Sequence, residues 1–295
     1  MAVDVSVIFV NYNTVSLLIN AIDSVLEKTI DIKYELIVVD NASKDNSERI
    51  LLEKYQNKIS YISLLENVGF GRANNEGMKI AKGRNIFLLN PDVLLQNNAI
   101  KLLSNYLDNN VEVGVVGGNL FYEDGSPQTS YSLVYPSIGF ELINMLHLFS
   151  LFKRDNFNDT FSPKEVKIVV GAALMIKREV INSVGGFDPS FFMYSEEDEW
   201  CFRIHRAGYK LVNLPQSKIT HLEGKSFEFS EDRQKRKLEG IRNFYKVSYS
   251  KRYCYFVELI CKITICIRFF IFYLLNNKQK MRYWNFMFNN RNWIS

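Results

Sequence analysis

Asp92 stands in Phe87-Leu-Leu-Asn-Pro-Asp-Val-Leu-Leu95, an apolar run, an acidic corner and a second apolar run. A short apolar run of this kind reads as a buried strand. Pro91, with no N–H and a fixed φ, ends it. Asp92 then lies just past the carboxyl end of the strand, where open α/β sheets bind ligands. A carboxylate there can hold a divalent ion whose shell is completed by substrate phosphates and water. One carboxylate by itself favours the alternative, a turn in which Asp92 caps the next helix. Ser195-Glu-Glu-Asp-Glu199 places four acids in a row near a helix start. Helix N-termini stabilise acids in any case. Here Phe191, Phe192 and Tyr194 precede them and Trp200 follows, and apolar surroundings raise a carboxyl pKa toward that of a general base.

Three further groups carry weaker signals. Asp40 ends the apolar run Tyr34-Glu-Leu-Ile-Val-Val-Asp40, where it can accept a hydrogen bond from a pyrimidine ring N–H or serve as a turn or cap residue. Asn67-Val-Gly-Phe-Gly-Arg-Ala-Asn-Asn-Glu-Gly77 follows a strand pattern and opens a helix pattern. Backbone N–H groups there, with Arg72, suit phosphate or ribose contacts; the alternative is a glycine turn with close helix packing. The spacing is not GxGxxG, so a dinucleotide fold is not supported. His221 closes Ile219-Thr-His-Leu222. A lone histidine is more often structural than a ligand, but beside Asp92 it would be a metal ligand.

These residues need a sheet to position them, and the pattern supplies one. Val5–Val10, Tyr34–Asp40, Ile59–Leu64, Asn85–Leu89 and Val113–Gly117 read as strands. Helical spacing intervenes, as in Leu17, Leu18, Ala21, Ile22 and Val25 after a capping Thr14. Alternating strands and helices imply a parallel sheet with right-handed crossovers. From 127 to about 165 periodicity is lost and aromatics abound, a pattern of functional or mobile segments. Gly171, among small residues, marks a close approach by backbone or ligand. Glu197–Ala207 reads as a helix, and Lys210–Asn213 and Lys218–His221 as two short final strands.

The chain has 295 residues, 47% apolar and 23% charged, as in an ordinary folded protein. Four cysteines form no CxxC pair or Cys/His cluster, which points to a reducing compartment without structural zinc. The amino terminus shows no secretory pattern. Net charge is +4, but unevenly spread. Residues 232–295 hold 14 Lys and Arg against 3 Asp and Glu, and residues 1–231 hold 22 against 29. An acidic body with a basic, aromatic tail predicts that the tail meets something anionic.

The ordered set Val5–Asn13, Val38–Ser43, Asn67–Asn75, Leu89–Asp92, Gly185-Gly-Phe-Asp188, Phe191–Glu197 and His221 resembles family 2 glycosyltransferases of the GT-A fold, in the bacterial rhamnosyltransferase-like branch. Each motif is weak singly; their order and spacing over about residues 3–230 are specific. The resemblance implies a Rossmann-like α/β catalytic domain over 1–231 with a mostly parallel central sheet. It implies an inverting hexosyltransferase acting on a nucleoside diphosphate sugar. The leaning is to L-rhamnose from dTDP-rhamnose; UDP- or GDP-hexose donors, or an inactive sugar-nucleotide-binding homologue, are the alternatives. The acceptor would be a lipid-linked glycan of cell-surface polysaccharide (O-antigen or capsule), met on the acceptor-side segment 127–165. Asp40 would read the base, Asn11 and Asn13 would lie under the nucleoside, and Asn67, Gly69, Arg72 and Asn74 around ribose and phosphates. Asn90 and Asp92 occupy the family's DxD position, so Asp92 and the late histidine, His221, would hold Mg²⁺ or Mn²⁺. Asn stands where the motif has its first Asp. Glu197 aligns with the catalytic base, with Glu196 and Asp198 as runners-up.

Lys251–Leu275 is apolar and aromatic but interrupted by Glu258, Lys262 and Arg268, so it lacks the roughly 20 apolar residues of a spanning helix. On a helix Lys251, Glu258 and Lys262 share a polar face, with Phe256, Leu259, Ile263, Phe270 and Leu274 elsewhere. Residues 251–284 thus read as a helical tail lying peripherally on an anionic membrane, the cytoplasmic face of the plasma membrane. Packing on the catalytic domain or in a homodimer is the alternative. A nucleic-acid-binding tail is a weaker third reading.

Overall fold

The computed structural model describes residues 3–146, 155–222 and 230–290. Two compact units form, one of Met1–Leu133 with Asp155–Lys225, the other of Val134–Arg154 with Ser226–Ser295. In the first, β1 (Val5–Asn11), α1 (Val15–Lys28), β2 (Tyr34–Asp40), α2 (Ser47–Tyr55), β3 (Ile59–Ser63), α3 (Phe70–Ile80) and β4 (Asn85–Leu89) alternate as predicted. Then come β5 (Val93–Leu95), α4 (Ala99–Asn109), β6 (Val113–Phe121), β7 (Pro127–Gln128) and β8 (Tyr131–Ser132). After α5 (Ile138–Met145), which belongs to the second unit, follow β9 (Lys164–Val166), β10 (Ile168–Val169) and β11 (Ala173–Lys177). The unit closes with α6 (Arg178–Val184), α7 (Glu196–Arg206) and β12 (Lys210–His221).

The main sheet runs in the order β3-β2-β1-β4-β11-β6-β12-β5. Its first four strands are parallel. β11 is antiparallel to both β4 and β6, so the sheet is mixed, with its parallel character concentrated in the amino-terminal half. β11 is entered through the turn at 170–172, without the crossover helix a parallel neighbour needs. Every residue of β1 is buried, because α3 covers one face and α1 the other. Leu18, Ala21, Ile22 and Val25 of α1 join Val5, Val7 and Phe9 in one apolar cluster, as their spacing predicts. Gly77 lets α3 approach: a Cβ there would lie 2.6 Å from Ile8.

The two expected final strands are one, β12, with a register shift between Leu214 and Lys218. Pro215 lacks the N–H for an unbroken ladder, and the strand bulges around it and continues. That continuation pairs His221 with Val93 of β5.

The second unit holds α5, α8 (Glu231–Ser248), α9 (Lys251–Leu274) and α10 (Lys278–Asn289). The segment expected to be irregular thus contains a helix, capped by the Ser137 hydroxyl accepting from the Phe140 amide at 3.2 Å. Eight residues are too few for a period to be read. Residues 134–154 group with the carboxy-terminal helices, which departs from the expected assignment of all 127–165 to the catalytic domain; residues 147–154 lie outside the described set. Tyr245 donates to the Glu141 carboxylate at 3.0 Å, and α9 buries Cys254, Val257, Cys261 and Ile265. The expected polar face of α9 is corrected here. Glu258 is buried, ion-paired to the half-buried Lys262 at 2.7 Å, while Lys251 is exposed, so that face packs inward at Glu258 and meets solvent at Lys251.

Candidate active site

The carboxyl ends of β1, β2 and β4 lie side by side because the strands are parallel and in register, Asn11 opposite Asp40. Asn11 is fully buried, and its amide donates to Asp40 at 2.8 Å, Ser47 at 2.7 Å and Ser43 at 3.0 Å. Its carbonyl oxygen accepts from Thr14 at 2.9 Å, so Thr14 spends its hydroxyl on Asn11 rather than on the helix start. Asp40 also accepts from the Ser43 amide at 3.0 Å. Asn13, at φ 55°, accepts from the Lys44 amide at 2.7 Å and donates its own amide to Ser43 at 2.9 Å. The segment after β2 is therefore fastened to the end of β1, and each Asp40 oxygen keeps a further lone pair.

Asn41 carries this network across to the glycine loop. Its side-chain amide donates to Asn67 Oδ1 at 2.9 Å, and its Oδ1 accepts from the Val68 amide at 2.9 Å. Gly69, at φ 90°, lies against the 192 backbone so closely that a Cβ would fall 2.2 Å from the Phe192 carbonyl oxygen. That carbonyl accepts from the Phe70 amide at 3.0 Å. Asn75 fastens the same region from α3, donating to the Phe187 carbonyl and accepting its amide, both at 2.9 Å.

The turn at 90–92 differs. β5 follows it, and α4 begins only at Ala99, so Asp92 caps no helix. The β12–β5 pairing brings His221 Nε2 to 3.5 Å from Asp92 Oδ2. Leu222 donates its amide to the Asp92 carbonyl at 2.8 Å. Asp92 Oδ1 and Asn90 Oδ1 are buried acceptors without a protein partner, a costly arrangement unless something else satisfies them. Among the described residues no cluster of three or more His, Cys, Asp or Glu forms a complete metal cage. Two orphaned oxygens and a nearby imidazole fit a hard divalent ion that takes its remaining ligands from phosphates and water.

The 90–92 turn is joined to the acids of α7. Asn90 donates its amide to the Ala172 carbonyl at 2.9 Å, and a Cβ on neighbouring Gly171 would lie 3.4 Å from the Glu197 carboxyl group. The Gly171 amide also hydrogen-bonds that carboxylate. Tyr194 and Ser195, at φ 72° and 63°, turn the chain sharply into α7; two consecutive left-handed non-glycine residues cost of order 1–3 kcal/mol each. The turn sends Glu196–Asp198 inward. Burial holds the Glu197 carboxyl well above the ordinary range, with the charges of Glu196 and Asp198 adding to it. Burial likewise raises Glu196 to about 7 and Asp198 to about 6. Glu196 Oε2 is a third buried acceptor without a partner. Glu199 is different: it grips Arg203 through two hydrogen bonds, at 2.9 and 2.7 Å. Arg203 in turn donates to the carbonyls of Val184 and Gly186.

Residues 6–185 match the family model described as glycosyl transferase family 2. The chain belongs to this family. It is 36% identical over 127 residues to the minor teichoic acid biosynthesis protein GgaB of Bacillus subtilis, covering 41% of this chain and 14% of that protein. It is 26% identical over 192 residues to the dTDP-rhamnosyl transferase RfbF of Shigella flexneri, covering 64% and 60%. The chain thus spans less than two thirds of either relative. A crystal structure of GalNAc-T7 with UDP, GalNAc and Mn²⁺ superposes with a TM-score of 0.59 at 18% identity, over 83% of this chain and 48% of that one. The family and the GT-A fold expected from the resemblance are borne out.

On this family 2 framework the expected residues separate. Asp40, Asn67, Gly69, Asn90, Asp92, Glu197 and His221 gather along one connected rim. Asn11 and Asn74 are buried and bonded to the protein, Asn74 donating to the Phe70 carbonyl at 3.1 Å, so they brace the rim; Asn13 is exposed and its side-chain oxygen accepts from the Lys44 amide. Arg72 is exposed and donates to the Pro189 carbonyl at 2.5 Å, which ties down the 188–190 turn. Asn41 and Asn75 were not singled out from the sequence, although both stand inside the motifs quoted. Their partners lie on loops distant in the chain, which no local spacing reveals. At Gly171 the neighbour is the Glu197 side chain, which a Cβ would meet at 3.4 Å, an ordinary contact, in place of the expected close approach by backbone or ligand.

Proposed function

We propose that this protein is an inverting hexosyltransferase that moves a sugar from a nucleoside diphosphate carrier to a glycan acceptor in cell-surface polysaccharide synthesis. The observation that carries the reading is the link from Asn90 and Asp92, with their orphaned oxygens, through Ala172 and Gly171 to the high-pKa Glu197. It supports a reading in which the turn that would hold a metal and the base share one rim. The similarity to GgaB and RfbF supports the cell-surface setting. Similarity to RfbF favours L-rhamnose on dTDP as the donor, and a lipid-linked glycan is the acceptor this reading assigns.

In this mechanism Asp40, clamped by Asn11 and Ser43, offers its spare lone pairs to the ring N–H of the pyrimidine. The loop at 67–70, held by Asn41 and Phe192, lines the ribose and phosphates. Asp92 and His221, with Asn90 beside them, would hold Mg²⁺ or Mn²⁺, which when bound supplies positive charge opposite the departing diphosphate. Glu197 takes the proton from the acceptor hydroxyl as that oxygen attacks the anomeric carbon from the face opposite the leaving group. Inversion follows from this single displacement, and no covalent nucleophile is required. A panel of dTDP-, UDP- and GDP-sugars with Mn²⁺, scored by thermal shift and then by donor hydrolysis, tests the reading. Stabilisation by one donor, with turnover abolished in Glu197→Gln but binding retained, is the expected result; full turnover in that variant would refute the base assignment.

A further inference from the structure

α9 is apolar on two opposite sides. One side packs inward through Cys254, Val257, Cys261 and Ile265. On the other, Phe256, Leu259, Ile263, Ile267, Phe270 and Leu274 recur every three or four residues, each between 43% and 66% exposed. At 3.6 residues per turn these six form one straight stripe about 27 Å long. No helix among the described residues is long and apolar enough to cross a membrane, so the stripe is not part of a span. Contiguous exposed apolar surface of this extent marks an interaction site.

Charge decides what covers it. From Lys251 to Asn290 the sequence carries seven basic side chains and one acid, Glu258, and that acid is buried against Lys262. Arg252 is exposed at one end of the stripe and Lys278 and Lys280 at the other. Two copies meeting stripe to stripe would bring like charges together at both ends, which is unfavourable. An anionic lipid surface answers the stripe and the charges at once, with Lys and Arg reaching headgroups while their stems stay in the apolar layer. Tyr255 and Tyr273, also exposed and five turns apart on one flank, are the amphipathic rings that settle at such a boundary.

We infer that α9 is a membrane-docking helix: it lies flat in the headgroup layer of an anionic bilayer, stripe down, with Arg252, Lys278 and Lys280 on lipid phosphates. The inference rests on the second unit alone and not on the sugar-transfer reading. Its test is co-sedimentation of the full chain with vesicles of phosphatidylcholine alone or with one third phosphatidylglycerol. The chain is expected to bind the phosphatidylglycerol vesicles at least about tenfold more tightly, and less so as salt screens the charges. Phe256→Ser/Ile263→Ser/Phe270→Ser should lower that binding at least about tenfold with an unchanged far-ultraviolet circular dichroism spectrum, since all three side chains are exposed. Lys278→Glu/Lys280→Glu should erase the preference for phosphatidylglycerol. Equal binding of wild type and the serine variant would overturn the inference. So would a stable wild-type dimer in sedimentation velocity that the serine variant converts to monomer without any vesicle binding. Donor hydrolysis in solution reads Glu197 independently, so failure here and failure of the catalytic assignment are separable.

Discussion

Two stretches of the same sheet rim treat polar groups in opposite ways. Around Asn11 and Asp40 donors and acceptors meet one another: Asn11 alone bonds Asp40, Ser43, Ser47 and Thr14. Around Asn90, Asp92 and Glu196, buried oxygens have no protein partner, and the α7 acids are pushed to high pKa. The first region has settled its electrostatics during folding, and the second leaves them open. A protein tolerates the second arrangement, at a cost in stability, where a ligand or a proton transfer completes it. The contrast sets a side that shapes the rim apart from the side to which the proposed reaction is assigned.

The sharpest way to break this contrast is Glu197→Gln, which removes the proposed base while keeping its volume. Transfer should fall about 10³-fold, as for loss of a general base, with donor affinity by calorimetry little changed. A loss below tenfold would move the base to Glu196 or Asp198. Asp92→Ala comes next: about 10²-fold in kcat/KM, the size of several kcal/mol of lost charge stabilisation, accompanied by weaker Mn²⁺ binding in titration calorimetry. Stability should invert the ranking. Asn11→Ala strands Asp40 and Ser47 and should cost roughly 2–3 kcal/mol in urea unfolding, whereas Asn90→Ala, whose Oδ1 has no partner to strand, should cost less. Equal losses would show that the two regions are built alike.

The smallest effect is a pH signature. Glu196 titrates near 7 in the folded protein against an ordinary value of 4.5. A carboxyl with a raised folded pKa contributes stability at low pH that is lost as pH climbs through that value. Glu196→Gln should therefore raise the melting temperature above about pH 7 and leave it unchanged near pH 4. Its charge also raises Glu197, so the variant's acidic limb of activity should shift to lower pH. A limb that stays in place would show that Glu196 does not tune the base.

Much of this was legible in the chain itself. The alternation of β1 to β4 with their helices follows from apolar period, because strands buried on both faces must be continuously apolar. Pro91 places Asp92 past a strand end for a purely local reason. The crowding of acids with aromatics at 191–200 announces a raised pKa before any coordinates exist. The helix α5 was not legible, being eight residues in an aromatic stretch whose apolar side is matched by α9. Nor was the bulge that makes β12 continuous, since Pro215 alone reads as an end.

By itself the sequence determined the elements and the kinds of group at their ends: a carboxylate after β2, another after β4, acids at the start of α7, a histidine at the end of β12. Tertiary structure alone decided which of them meet. Asp92 finds His221 through the pairing of β5 with β12, which sets Val93 opposite His221, 128 residues further on, and Glu197 finds Gly171 because Tyr194 and Ser195 accept a left-handed backbone. The same holds for Glu258, whose charge reads as surface and lies buried, and for the stripe on α9, whose exposure no periodicity could distinguish from a packed face. Local spacing records what a residue is and which way its element repeats. Partnership, burial and pKa are set by groups distant in the chain, through hydrogen bonds and desolvation that exist only once the sheet has closed.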